Sequence, residues 1–517
     1  TMFETEAFIP YFKDFFCPAD TNFGALLAET ADLLRSSPEL LLAIDHDLDV
    51  HALQKKELRE ADRRFDDAQT ATLAGIDEAG KSFRPADHGA LRKLEHLEIG
   101  RPRTPALVVG VLLVVRGYCG SCTDQKSIDL FRESKSLDHW LNTQNATLPA
   151  RSTLSELLNV ISEETRAKIL AATLDRASQE DLDSFEKSLI DSTAVRACSS
   201  WPTDVKISFG LCRRLWNIGN QFQQFGLKNI QKGWMGNWLK SLEKLMVDIN
   251  LNPKNDKKFQ SRCRQFINVG KKILSHGLAE YKRLGADWNE GAGKLRPSTS
   301  VQVYRKICDY LESLNSAGRS LEQMYFRIFE NRKYRSIERI LSICDESAAY
   351  IQKGGREAVI GYKPQLARSG NGFVTALLVE EGNISDSICL LPALQTTIAN
   401  TGVVPDMVSV DDGYASKANL EQTKDLGVKI ISISGAKGKR LLGEKWEQEE
   451  YQEARKSRSA VESLMFCLKY SYRFGQLSRT GLEAVRQELM EKTLAYNIAR
   501  LVYLRKRKHQ FLRKSAA

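Results

Sequence analysis

R-S-A-V-E-S-L-M-F-C-L-K, residues 458 to 469, is the stretch whose reading decides the fold. At 3.6 residues per turn, Val461, Leu464, Met465 and Leu468 form an apolar stripe, so the segment is an amphipathic helix. Arg458 and Glu462 stand one turn apart, and Lys469 falls two turns beyond Glu462 on nearly the same side. Taken alone, the window reads as a surface ion pair on a packed helix. The sharper reading is a carboxylate turned inward to bind metal, with cations on either side to receive phosphate. Two distant stretches favour it: L-I-D-S-T-A-V at 189–195 and V-S-V-D-D-G-Y at 408–414. Ser188 to Val195 alternates as a β-strand carrying Asp191, and Asp406 to Val410 is a short strand ending at Asp411.

Together the three pieces resemble the catalytic core of DDE transposases from bacterial insertion sequences, within the RNase H-like, retroviral-integrase superfamily. In that family the first aspartate ends a strand followed by a small or hydroxyl residue, as in Asp191-Ser192-Thr193. The second sits in D-x-G-Y, matched by Asp411, Asp412, Gly413 and Tyr414. The glutamate lies in R-x3-E-x6-K, matched without a gap by Arg458, Glu462 and Lys469. A tyrosine that the family carries three residues before the arginine is absent: position 455 is Arg455, and the nearest tyrosine is Tyr451. The resemblance spans about residues 100–500.

The resemblance implies an α/β RNase H-like catalytic core, a mixed five-stranded sheet flanked by helices, with a helical N-terminal DNA-binding region. It implies Asp191, Asp411 and Glu462 as catalytic residues and metal ligands, with Arg458, Lys469 and Tyr414 on the DNA phosphate. The cofactor implied is two Mg²⁺ ions, with Mn²⁺ able to substitute. The partner is double-stranded DNA, both terminal inverted repeats and target, held by a homodimer or higher oligomer on paired ends. The chemistry asks for such residues. Displacing one oxygen of a phosphodiester by another, in line, is served by two divalent ions about 4 Å apart. Mg²⁺ prefers oxygen ligands and keeps several waters, so a few carboxylates suffice. Converging carboxylates repel unless a cation lies among them. Asp412 is the alternative to Asp411, because the sequence does not show which of the two points inward.

The rest of the chain sets bounds. Its 517 residues suit about three domains. A hydrophobic fraction of 42% and a charged fraction of 27% describe an ordinary soluble globular protein, and a net charge of +10 hints at an anionic partner. The cysteines show no framework spacing beyond Cys119-Gly-Ser-Cys122, so free thiols in a reducing cytoplasm are expected. The longest apolar run, Ala106 to Val115, is too short to span a bilayer, and the first residues lack a signal-peptide pattern. A cytoplasmic, nucleoid-associated protein without membrane partner is the expectation. No G-x-x-x-x-G-K-[ST] loop and no Ser/His/Asp array occurs, so no nucleotide cofactor is expected.

In chain order, residues 1–99 read as helices, including A-L-L-A-E-T-A-D-L-L and H-A-L-Q-K-K-E-L-R-E-A-D-R-R. Residues 100–180 follow as a helical, helix-turn-helix-like region: R-P-R-T-P, a buried helix Ala106 to Arg116, then Gln125 to Phe131 and Leu137 to Leu141. Its last helix is expected to start at a capping box of Thr153 and Glu156, within a P-x-R-S-T-L turn that resembles the same family. The core occupies 181–200 and 340–480, interrupted after the first strand by a helical insertion at 201–339 that opens W-P-T-D. Residues 201–340 hold 26 lysines and arginines against 12 acids, a net +14, and five of the seven tryptophans. Basic residues on DNA and tryptophans inside are expected there. Asp204 reads as an N-cap. After Lys353-Gly-Gly, strands Glu357 to Ala367 and Phe373 to Val379 flank a hairpin turn at Ser369-Gly-Asn-Gly. A helix from Asp386 to Ala399 and one from Lys417 to Leu426 precede a strand Val428 to Ser434 and a basic loop Gly435 to Gly443. Residues 481–517 are a basic C-terminal helix, either a solvated tail or a nucleic-acid contact.

The function the resemblance implies is that of a transposase that cleaves element ends and transfers the 3′-hydroxyl strand into target DNA. Two other readings share the features: a non-catalytic, architectural DNA-binding descendant, and a metal-dependent endonuclease that cleaves without joining.

Overall fold

The computed structural model describes residues 23–77, 104–120, 124–198, 203–225, 232–251, 257–291, 295–335, 338–352 and 357–515. Two compact units divide the chain: Thr1–Leu48, Thr104–Cys198 and Ser347–Ala517 form the first, and Asp49–Arg103 with Ser199–Glu346 form the second.

The first unit carries all eight described strands: β1 Lys187–Ser192, β2 Val195–Arg196, β3 Ala349–Ile351, β4 Val359–Tyr362, β5 Gln365–Ser369, β6 Val374–Leu378, β7 Met407–Val410 and β8 Ile430–Ile433. Five of them make a mixed sheet in the order β6-β5-β1-β7-β8, and β2-β4-β3 make a smaller one. β1 runs antiparallel to β5 and parallel to β7, which is parallel to β8. β7 is buried at every position and β1 from Ser188 onward, as expected of central strands covered on both faces. Helices Asp386–Thr401 and Glu449–Ser457 pack on this sheet around Ile190, Val408, Val410, Leu390 and Ile433. Each such side chain contributes about 1.5–3 kcal/mol by leaving water. This is the five-stranded mixed sheet with flanking helices, compatible with an RNase H-like core.

Helix Ala106–Tyr118 is apolar on every side and correspondingly buried. It lies along helix Leu482–Ser515, and its Arg116 enters a buried knot of charge. There Glu491, with no exposed surface, pairs with Arg116 at 2.7 Å, Arg166 at 3.0 Å and Arg479 at 2.8 Å. Burial alone would raise the Glu491 pKa, but the three guanidiniums outweigh it and hold the carboxyl far below its usual range. Burial in turn lowers Arg116 to about 10.

Several expectations change in the details. The helix expected to start at that capping box spans Arg151–Val160, and extended Ala150 is its N-cap. Thr153 therefore lies inside the first turn, too late to cap, and the expected capping box does not form. The expected strand Glu357 to Ala367 is two strands in different sheets, because Lys363-Pro364 breaks it and proline has no N–H for a ladder. The hairpin β5–β6 does form, with Gly372 N–H donating to Ser369 O at 3.2 Å. The expected basic loop at 435–443 is the helix Ala436–Leu442. In the C-terminal helix, Arg505 pairs with Glu29 and Glu180, and Lys508 donates to Glu180 O, so those two cations are used within the fold.

The second unit contains helices Asp204–Gln221, Lys232–Leu251, Lys257–Gly291 and Pro297–Phe329. Trp216, Trp238 and Trp288 pack against its core, while Lys240, Lys244, Lys271, Lys272, Lys282 and Arg305 are exposed. Trp201 and the side chain of Trp234 lie outside the described residues, as do Pro202, Cys122, residues 101–103 and Lys353-Gly-Gly. The later part of helix Pro38–Asp77 belongs here: Asp62 accepts from Ser298 N at 2.8 Å, and Asp66 pairs with Arg296 at 2.8 Å. The N-cap of helix Asp204–Gln221 is Thr203, not Asp204, whose carboxylate is taken up by Arg327 and Arg339. Among the described residues, all cysteines are free thiols and no helix is long and apolar enough to cross a membrane.

Candidate active site

β1 and β7 are adjacent and parallel, paired from Lys187↔Met407 to Leu189↔Ser409. Carried two residues further, this register sets Asp191 beside Asp411. With side chains alternating along each strand, both acids then leave the sheet on the same face. The two strand ends are finished alike. Ser192 N–H donates to Asp191 Oδ1 at 2.7 Å, and Gly413 N–H donates to Asp411 Oδ1 at 2.8 Å. Each carboxylate is thus tied by one oxygen to its own backbone.

Glu462 comes from helix Ser459–Ser471, which packs on the strand side through Val461, Leu464, Cys467 and Leu468. Arg458 stands at the junction with the preceding helix Glu449–Ser457. Its guanidinium spans two acids, with Nη1 3.5 Å from Asp191 Oδ2 and Nη2 3.4 Å from Glu462 Oε1. One planar fork therefore links the first and third acids of the motif. Asp191 is largely buried, whereas the Glu462 side chain is 63% exposed. Lys469 is half-buried on the same helix, against Gly475.

Asp411 and Asp412 have different surroundings. Asp412 Oδ1 accepts from Lys437 N at 2.8 Å and Gly438 N at 2.9 Å, capping helix Ala436–Leu442. That leaves Asp411 as the aspartate of the pair on the Asp191 side. Gly413 does not hold a left-handed turn. Its role is space, since a methyl group there would sit 3.0 Å from Asp411 Oδ1 and 3.1 Å from Asp386 Oδ2.

Tyr414 departs from expectation. It is fully buried, so it does not present its hydroxyl to a DNA phosphate. The hydroxyl donates to Gln365 Oε1. Burial, and then the charges of Asp386, Asp191 and Asp411, push its pKa well above the usual value. Gln365, Asp386 and Lys363, joined to Tyr414 by hydrogen bonds and an ion pair, are marked by no motif. The first and last flank Pro364 inside what reads as one strand, and Asp386 reads only as a helix start.

The donor set suits a hard divalent cation, being carboxylate oxygen throughout. Among the described residues, however, no three acid, histidine or cysteine side chains gather closely enough to hold an ion. Asp191 lies near the end of β1 and Asp411 directly after the adjacent β7, and Glu462 is linked to Asp191 through Arg458.

Residues 329–498 match the family model described as Transposase DDE domain. The matched segment contains Asp411, Arg458, Glu462 and Lys469 and begins after Asp191. Comparison with curated proteins and with solved structures gives no match.

Proposed function

For a chain that carries a transposase DDE domain over residues 329–498, we propose metal-dependent cleavage at insertion-sequence ends followed by transfer of the freed 3′-hydroxyl strand into target DNA. The observation that carries the reading is the Arg458 guanidinium spanning Asp191 and Glu462, next to the strand pair that sets Asp411 beside Asp191. It links motif residues from both ends of the sequence, and Asp191 enters it from outside the matched segment.

Asp191, Asp411 and Glu462 would hold Mg²⁺ or Mn²⁺, which supplies charge stabilisation to the attacking and leaving oxygens of the phosphodiester. Arg458, with its planar fork, orients a non-bridging phosphate oxygen pair, and Lys469 adds a point charge from the next turns of the same helix. In cleavage, a water oxygen bonds to phosphorus and the 3′ oxygen leaves with a proton. In joining, that 3′ oxygen attacks a target phosphodiester and the target's own 3′ oxygen leaves. The buried strand ends fix Asp191 and Asp411 before DNA arrives, so little reorganisation is needed at the reacting phosphate.

DNA is the partner of a transposase domain. We assign helices Asp124–Glu133, Lys135–Thr143 and Arg151–Val160 to reading the element end. Arg151 is exposed at the start of the last of these and donates to Gln125 of the first at 3.1 Å. The exposed lysines of the second unit are assigned to the phosphate backbone. The functional protein is a dimer or higher assembly on paired ends.

The test is a strand-transfer assay with Mg²⁺ or Mn²⁺, a labelled element-end duplex, a supercoiled target, and Glu462→Gln alongside. Joined products made by the wild type and lost in Glu462→Gln are expected. Cleavage without joining would identify an endonuclease. Equal DNA binding by both proteins, with no cleavage in any metal, would identify an architectural protein.

A further inference from the structure

Behind the aspartate pair lies a line of hydrogen bonds that the motif does not include. Lys363 Nζ stands 3.2 Å from Asp386 Oδ1, and both side chains are at most 15% exposed. The same Asp386 oxygen accepts from Gln365 Nε2 at 2.8 Å, and Gln365 Oε1 accepts from the Tyr414 hydroxyl. Helix Asp386–Thr401 packs on the Asp412–Tyr414 turn, and a methyl group placed on Gly413 would meet Asp386 Oδ2 at 3.1 Å and Asp411 Oδ1 at 3.0 Å. The line thus starts at a largely buried lysine between two strands and ends beside the Asp411–Tyr414 turn.

We propose that Asp386 is a positioning residue for Asp411: held by Lys363 and Gln365, it braces the turn at Gly413 and so sets the angle at which the Asp411 carboxylate meets a divalent cation. The inference rests on the reading of Asp411 as a metal ligand. The physical reason is stiffness. Asp411 is anchored to its turn by one bond from Gly413 N–H, so any freedom of that turn is freedom of the carboxylate. Partners outside the ligand set that fix a ligand's orientation typically change metal affinity about 10–100-fold when removed. The lysine keeps Asp386 compensated, since a lone carboxylate buried beside two other acids would disfavour all three charges.

Asp386→Asn and the double variant Lys363→Met/Asp386→Leu are compared with wild type. Amide exchange is measured at Gly413 and Tyr414, and Mn²⁺ binding by electron paramagnetic resonance. The double variant leaves no unpaired buried charge, so its melting is expected to follow wild type. In both variants exchange at the turn is expected to rise about tenfold and Mn²⁺ affinity to fall about tenfold. Wild-type exchange and wild-type Mn²⁺ affinity in the double variant would overturn the proposal and leave the pair a folding contact. A wild-type protein that binds no Mn²⁺ would sink the metal reading instead, and exchange at the turn would still decide whether Asp386 braces it.

Discussion

Glu491 has no exposed surface and three arginines around it. Its carboxyl titrates below the usual range, so as pH falls the unfolded chain takes up this proton first. The stabilisation is complete above the unfolded value of about 4.3 and is lost as pH falls through the depressed folded value. Glu491→Gln leaves two buried guanidiniums and the partly buried one of Arg479 without their anion, and breaking such a cluster costs about 3–5 kcal/mol. Urea unfolding should show that deficit at pH 7 and a smaller one below about pH 4. A deficit that ignores pH would mean that packing, and not charge, is what Glu491 supplies. Among the adjacent aspartates, Asp411→Asn should abolish cleavage. Asp412→Asn keeps an oxygen acceptor for Lys437 and Gly438 N–H and should retain cleavage, with about 0.3–1 kcal/mol lost from the helix terminus. A strand-nicking assay on the two variants separates them, and inactivity of both would return Asp412 to the site. The motif residues stand out in the sequence by their spacing, which the expected chemistry would fix. The burial of Tyr414 and its bond to Gln365 leave no local pattern in the sequence.

Elements were legible where their neighbours are local. Helix Ala106–Tyr118 announces itself by an unbroken apolar run, and β7 and β8 by short apolar runs set off by turns. β4 and β5 look like one strand in the sequence, since the alternation continues across Lys363-Pro364 while the pairing partners change sheets. Pairing is a property of the tertiary fold and leaves no period in the sequence. The contact between helix Ala106–Tyr118 and helix Leu482–Ser515 is another such property. At Gly117 a methyl group would fall 2.0 Å from the backbone oxygen of Glu491, so the two helices meet main chain to main chain. Gly117→Ala must force them apart, and overpacking of this kind costs about 1–3 kcal/mol or more. Its thermal unfolding should begin well below that of wild type, and an unchanged midpoint would mean that the helices do not approach so closely.

Across the whole molecule, charge is divided unevenly, with residues 201–340 carrying a net +14 in a chain of net +10. If the exposed lysines there follow a phosphate backbone, binding to duplex DNA must release counterions. With 6–10 phosphates engaged, affinity should fall about 10³–10⁵-fold between 50 and 200 mM salt. Reversing Lys271 and Lys272 to glutamate should flatten that slope without altering unfolding, and an unchanged slope would place the DNA elsewhere. In the sequence, residues 201–339 read as an insertion after the first strand. The sequence does not show that residues from Asp49 onward join it, because the long helix Pro38–Asp77 has no break in pattern where it passes between units.

β2 ends just before residues 199–346 begin and β3 starts just after them, and both pair with β4. The two stems of the insertion are therefore stitched two strand spacings apart, about 10 Å. For the chain as a polymer, pairing Asp191 with Leu366 closes a very long loop, and β1 gains no bond to β5 or β7 until that entropy is spent. Helices that collapse early through near-neighbour contacts turn the long loop into a short tether with adjacent ends. The topology thereby sets an order of assembly, in which the helices of the insertion condense first and the strand ends bearing Asp191 and Asp411 come together last.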